Sequence, residues 1–104
     1  MQNIETLGET IRRLREAQGI PLRKLAALLD IDQSTLSKIE RNERNASEEM
    51  MGKIAKIFNY DYNELKIKLL SDKIAHDLLD EDLSLEVLKV VGEKIEYLKN
   101  GKHQ

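Results

Sequence analysis

The stretch LRKLAALLDIDQSTLSKIER, residues 22–41, decides how this chain folds. Spacings of three and four residues place side chains on one face of a helix. Its apolar residues follow those spacings within two short segments and lie at Leu25, Ala26, Leu29, Leu36 and Ile39. The pattern breaks between the segments, at residues 30–32. The sequence therefore predicts two short helices joined by about three residues, which is a helix-turn-helix.

The break between the two helices has a predicted role for each residue. Asp30 lies where the chain must leave the first helix, so we expect a positive φ, which Asp tolerates better than most residues. Ile31 is expected to plug the space beneath the turn. Asp32 can accept the first amide protons of the second helix as its N-cap. We also expect Ala26 to be small because the second helix crosses close to it.

The second predicted helix carries polar side chains away from its buried positions. These side chains are short or flexible, of the kind that contact base edges and phosphates, and they are Gln33, Ser34, Thr35, Ser37, Lys38 and Arg41. By charge alone, this surface could equally be an ordinary solvated helix face.

This stretch, with residues 19–21 before it and residues 42–47 after it, resembles the phage-repressor and Cro-like (XRE-type) family of helix-turn-helix regulators. The segment STLSKIERNER, residues 34–44, is especially similar, and the match covers roughly residues 7–65. Two positions differ from the family. Leu22 stands where the family often has a Gln that helps a phosphate contact, and Asp30 stands where it usually has Gly.

The resemblance implies an all-α fold, with a five-helix repressor-like DNA-binding domain in residues 1–70. Predicted helix 3, at about residues 33–41, would enter the major groove. Gln33 suits adenine and Lys38 suits guanine O6 and N7. Ser34 completes the main base contacts, and Thr35 and Ser37 would lie near the groove wall.

The resemblance also implies contacts with the DNA backbone and one contact within the protein. In this fold class the loop after the reading helix follows the DNA backbone, so the phosphate candidates are Arg23, Arg41, Asn42 and Arg44. A solvated loop is the alternative. Arg15 and Glu40 match a pair that ties helix 1 to the reading helix in similar regulators, and we expect them to stabilise the fold.

Local signals place the remaining helices of this domain. Thr6 and Glu9 form a predicted capping box at the start of helix 1, and Gly19 is its expected stop. Helix 2 is predicted at about residues 21–29. Ser47 and Asp61 are the predicted N-caps of helices 4 and 5.

Residues 71–104 form a predicted helical dimerisation extension. A helical pattern continues from helix 5, and an acidic turn at residues 80–82 can begin another helix. Apolar residues then recur at spacings of 3, 3, 4 and 3, at Leu85, Leu88, Val91, Ile95 and Leu98. Two heptads alone are marginal in water, so this stripe must fold back on the domain or pair with another copy. We expect a homodimer.

Composition and charge are consistent with a cytoplasmic DNA-binding protein. The chain has 104 residues and no Cys, and it has no signal-peptide or membrane-spanning pattern. Residues 1–60 carry 10 Lys and Arg against 9 Asp and Glu, and residues 61–104 carry 7 against 10. All six arginines lie within the first 44 residues. Arginine suits phosphate and guanine recognition, which favours DNA as the partner of the first segment.

No catalytic constellation is present, so we expect no enzyme activity, no cofactor and no metal site. Asp72 and His76 lie four residues apart on a predicted helix, but no Cys or third His accompanies them. The expected function is sequence-specific transcription regulation, in which a homodimer reads a palindromic operator in double-stranded DNA. The alternative is a protein-interaction module, such as an antitoxin or accessory subunit, with an unknown protein partner.

Overall fold

The computed structural model describes residues 4–101, so residues 102–104 of the predicted extension lie outside it. The elements in the described part are all α-helices, which confirms the predicted all-α class. They are α1 (Leu7–Ala17), α2 (Leu22–Leu28), α3 (Gln33–Glu40), α4 (Glu48–Phe58), α5 (Tyr62–Leu78) and α6 (Ser84–Gly101). The chain forms two compact units, of which the first ends at Ile74 and the second begins at Ala75.

The predicted N-caps of α1, α3 and α4 are confirmed by their hydrogen bonds. Thr6 Oγ1 accepts from the amide of Glu9 at 3.2 Å, and Glu9 Oε1 accepts from the amide of Thr6 at 2.9 Å. Asp32 and Ser47 cap α3 and α4 by accepting from the amides of Thr35 and Met50. Pro21 is the N-cap of α2 rather than its first residue, so α2 is shorter than predicted.

Helices α1 to α4 share one way of ending. A left-handed residue follows each helix, and the amide after it donates to a carbonyl five residues earlier. The left-handed residues are Gly19, Asp30, Asn42 and Asn59, with φ of 65°, 59°, 64° and 51°. The positive φ predicted for Asp30 is confirmed. These closures also explain why Leu29 and Arg41 are C-caps and not the last helical residues.

The core of the first unit collects the apolar faces of α1 to α5. Its fully buried members include Ile11, Leu25, Leu29, Leu36, Met51, Ile54 and Leu65. Burying one such side chain contributes about 1.5–3 kcal/mol relative to leaving it in water. Ala26 is 2% exposed, as expected where α2 and α3 pack together. Ile31, between α2 and α3, is half-buried against this core.

Two polar residues of α5 hold the start of α1. The Nζ atom of Lys68, a buried residue, donates to the carbonyl of Glu5 at 3.0 Å. Asp72 Oδ2 accepts from the amide of Leu7 at 2.8 Å, which satisfies one of the unpaired donors at the helix N-terminus. The partners are more than 60 residues apart in the chain, and the sequence pattern did not predict these contacts.

Candidate nucleic-acid interface

Helix α3 has a buried side and an exposed side. Leu36 is 0% exposed and Ile39 is 3% exposed, so both anchor the helix in the core. Three predicted base-contact residues, Gln33, Ser34 and Lys38, are exposed. The two residues predicted near the groove wall, Thr35 and Ser37, are half-buried. The polar side chains within residues 33–38 therefore lie on a surface of α3 that another molecule can approach.

The first turn of α3 is ordered by its cap. Asp32 Oδ1 accepts from the amide of Thr35 at 2.9 Å and from the hydroxyl of Ser34 at 3.3 Å. Hydrogen bonding with Thr35 holds the pKa of Asp32 below its usual range. The Ser34 hydroxyl thus donates within the protein and keeps its acceptor lone pairs for an outside donor.

An ion pair fixes the end of α3 to α1. Arg15 Nε donates to Glu40 Oε2 at 2.8 Å, and Arg15 Nη2 donates to Glu40 Oε1 at 3.0 Å. Arg15 Nη1 donates to the carbonyl of Ile20 at 3.0 Å. The Glu40 carboxylate raises the pKa of Arg15. The side chains are 14% and 5% exposed, so little of the pair is accessible to an outside ligand.

Gly8 allows α1 to pass close to the end of α3. A Cβ atom at Gly8 would lie 2.3 Å from the carbonyl oxygen of Ile39 and 2.9 Å from that of Glu40. It would also lie 2.7 Å from Asn42 Oδ1, in the loop after α3. Sequence reasoning missed this role, because neither a turn nor a positive φ marks Gly8 as special. The close approach sets how far α3 stands from α1.

The loop after α3 contains three of the predicted phosphate contacts. Asn42 and Arg44 are exposed, and Asn42 adopts the left-handed conformation that closes α3. Arg41 is exposed but already bound within the protein. Its Nε and Nη2 atoms donate to the two carboxylate oxygens of Glu43 at 3.1 and 3.2 Å, and its Nη1 donates to Ser37 Oγ at 2.7 Å.

The remaining predicted residues lie away from α3 in the chain. Arg23 is exposed in the first turn of α2. The five predicted dimer residues lie on α6, in the second unit, where none of the described side chains is buried. Their exposed fractions run from 38% to 76%, for Leu85, Leu88, Val91, Ile95 and Leu98.

No helix within residues 4–101 is both long and apolar enough to cross a membrane.

The chain is similar in sequence to known proteins. A family model described as helix-turn-helix matches residues 11–65. An HTH-type transcriptional regulatory protein of Thermococcus gammatolerans is 30% identical over 94 residues, which is 90% of this chain. The chain spans 29% of the length of that curated relative.

Two solved structures resemble the chain. The restriction-modification controller protein C.AhdI from Aeromonas hydrophila is 34% identical, with a TM-score of 0.51, over 57% of this chain and 86% of that one. The SinR protein, solved in a complex with the SinI protein, is 24% identical with a TM-score of 0.52. That match covers 95% of this chain and 100% of the other, and it supports the fold alone.

Proposed function

The chain belongs to the XRE-type helix-turn-helix family of DNA-binding transcriptional regulators, and from this premise we propose that it binds a palindromic operator as a homodimer. One observation carries the proposal. The polar side of α3 is exposed, while its apolar side and Glu40 are buried in the core. A short helix held rigidly from one side offers the other side to the major groove.

The base contacts are assigned to the exposed side of α3. Gln33, at its first turn, is suited to a bidentate contact with adenine, and Lys38 is suited to guanine. Ser34 contacts either kind of base edge through its hydroxyl. Thr35 and Ser37, which are half-buried, lie beside the groove wall.

The phosphate contacts are assigned to the residues flanking α3. Arg23 precedes α3 in the chain, and Asn42 and Arg44 follow it. All three residues are exposed. Phosphate contacts fix the orientation of the protein on the duplex and supply salt-dependent affinity. The guanidinium of Arg41, in the same loop, is bound to Glu43 and is not assigned to a phosphate.

The dimer is assigned to the apolar stripe of α6. Its five residues repeat at helical spacing and are all at least 38% exposed, although water disfavours such a row of apolar side chains. A second copy of the chain covers the stripe with an identical one, as in a coiled coil. Two reading helices then contact half-sites about 34 Å apart, which explains the need for a palindrome.

A selection from a randomised duplex library tests this proposal, together with sedimentation of the full chain. We expect an enriched palindrome, bound by a particle of twice the mass of the chain. A duplex carrying one half-site serves as the matched control and should bind more weakly. The proposed localisation is the cytoplasm, because a regulator must reach the DNA there. Enrichment of single half-sites by a monomer would contradict the dimeric arrangement.

A protein-interaction module, such as an antitoxin or accessory subunit, is the second candidate. The exposed stripe on α6 favours it, because the same surface can bind an unrelated apolar helix. The similar SinR protein was solved together with another protein, SinI. Failure to enrich any duplex, with the chain monomeric, would favour this candidate over the regulator.

A further inference from the structure

Glu43 departs from the pattern by which the helices of this protein end. The residue after the left-handed position is Ile20 behind α1, Ile31 behind α2 and Tyr60 behind α4. All three are half-buried and pack against the core. The equivalent residue behind α3 is Glu43, which is exposed. Packing therefore does not account for the residue type at this position.

The backbone fixes Glu43 beside the end of α3. Its amide donates to the carbonyl of Lys38 at 2.8 Å, and the amide of Asn42 donates to the carbonyl of Ile39 at 3.1 Å. These two bonds form the closure that a left-handed residue produces at a helix end. The Glu43 carboxylate thus starts from a defined backbone position, unlike a charge at the tip of a flexible loop.

Arg41 is held on two sides. Glu43 binds its Nε and Nη2 atoms, and Ser37, one turn earlier in α3, binds its Nη1 at 2.7 Å. The guanidinium consequently lies against the polar surface of α3. A guanidinium has five N–H donors, and three are used here. One N–H remains on each of the two Nη atoms.

This arrangement is poorly suited to clamping a phosphate. The Glu43 carboxylate offsets the charge of Arg41 and would stand close to any phosphate that approached it. The two remaining N–H donors instead match a pair of neutral acceptors, as guanine presents with O6 and N7 in the major groove. A carboxylate that holds the guanidinium in advance lowers the entropy lost on forming such a contact.

We propose that Arg41 is a specificity-determining residue that contacts a guanine in each half-site, and that Glu43 and Ser37 position it. This inference rests on the proposed DNA-binding function. It differs from the sequence-based expectation for Arg41, which was a phosphate contact.

Library selection followed by binding measurements on the full chain tests the inference. Arg41→Lys keeps the charge but lacks the planar donor pair, so preference for one G·C pair per half-site should fall about tenfold or more. Glu43→Gln should lower the same preference, because the guanidinium loses its carboxylate partner and is held by Ser37 alone. These side chains are exposed, so the melting temperature should stay unchanged.

Glu16→Gln is the matched control. It removes a carboxylate that accepts from Arg12 Nε at 3.1 Å on the surface of α1, and it changes the net charge by the same amount. It should leave base preference unaltered. The inference is overturned if Glu43→Gln strengthens binding to all duplexes equally, or if Arg41→Lys selects the wild-type sequence. A wild-type chain that selects no sequence would overturn the proposed function and this inference together.

Discussion

Arg15 near the end of α1 and Glu40 at the end of α3 are joined by two hydrogen bonds, of 2.8 and 3.0 Å, in a part of the molecule that excludes most water. The two residues are 25 positions apart in the chain, and the pair connects α3 to α1. We therefore expect the pair to stabilise the orientation of α3 relative to α1.

Glu40→Ala should lower the free energy of unfolding by up to about 3–5 kcal/mol, because it leaves the partly buried Arg15 guanidinium without its carboxylate partner. Urea unfolding measures the loss. Glu16→Ala is the control, since its pair with Arg12 is exposed and such pairs contribute about 0–1 kcal/mol. Equal unfolding midpoints for the two variants would show that the buried pair does not stabilise the fold.

Gly8→Ala should destabilise the protein by about 1–3 kcal/mol, as other overpacked sites do, since a Cβ would meet the Ile39 carbonyl at 2.3 Å. Gly52→Ala in α4 is the control, because nothing lies within 4 Å of its Cβ position. That change should stabilise the protein by about 0.5–1 kcal/mol, the usual gain from Ala over Gly in a helix. Thermal unfolding of both variants shows whether each change raises or lowers stability. A stabilising Gly8→Ala would show that α1 does not approach the end of α3 so closely.

Lys38→Ala and Arg44→Ala should affect DNA binding differently. Loss of Lys38 should cost about 1–3 kcal/mol at one base position and relax preference there. Loss of Arg44 should weaken all sequences alike and reduce the salt slope of binding by about one. Gel shifts at several salt concentrations separate the two effects, and the same change of preference in both variants would contradict the assignment.

Leu88→Asp combined with Ile95→Asp should yield a monomer that binds half-sites weakly, because two buried carboxylates oppose packing of the α6 stripe. Tyr97→Asp combined with Asn100→Asp adds the same charge on another side of α6 and should leave the dimer intact. Analytical ultracentrifugation compares the masses. The stripe is not the interface if both double variants sediment like the wild type.

Acid should weaken the contact between Glu5 and Arg13. Arg13 Nε and Nη2 each donate to the Glu5 carboxylate at 3.0 Å, and this bond holds the pKa of Glu5 below its ordinary value. A depressed pKa in the folded state adds stability above the unfolded pKa, and that stability is lost as pH falls through the folded pKa. Between about pH 5 and pH 3, the unfolding free energy of the wild type should therefore fall more steeply than that of Glu5→Gln. Parallel pH profiles would exclude this contribution.

Local structure could be predicted from the sequence, because the groups involved are close neighbours in the chain. The caps at Thr6, Asp32 and Ser47 each satisfy an amide three residues away, so spacing alone identified them. The left-handed residue at Asp30 followed from the break between two apolar patterns. The resemblance to a known family suggested the pairing of Arg15 with Glu40, whose atoms the structure brings into contact.

Contacts between distant residues could not be predicted in this way, because they depend on how the helices pack. Gly8 meets the end of α3, and Lys68 and Asp72 of α5 hold the start of α1. Residue spacing within a helix predicts which face a side chain occupies, but not what another helix presents to that face. The distance and orientation between helices depend on all the side chains packed between them, and these exist together only in the folded core.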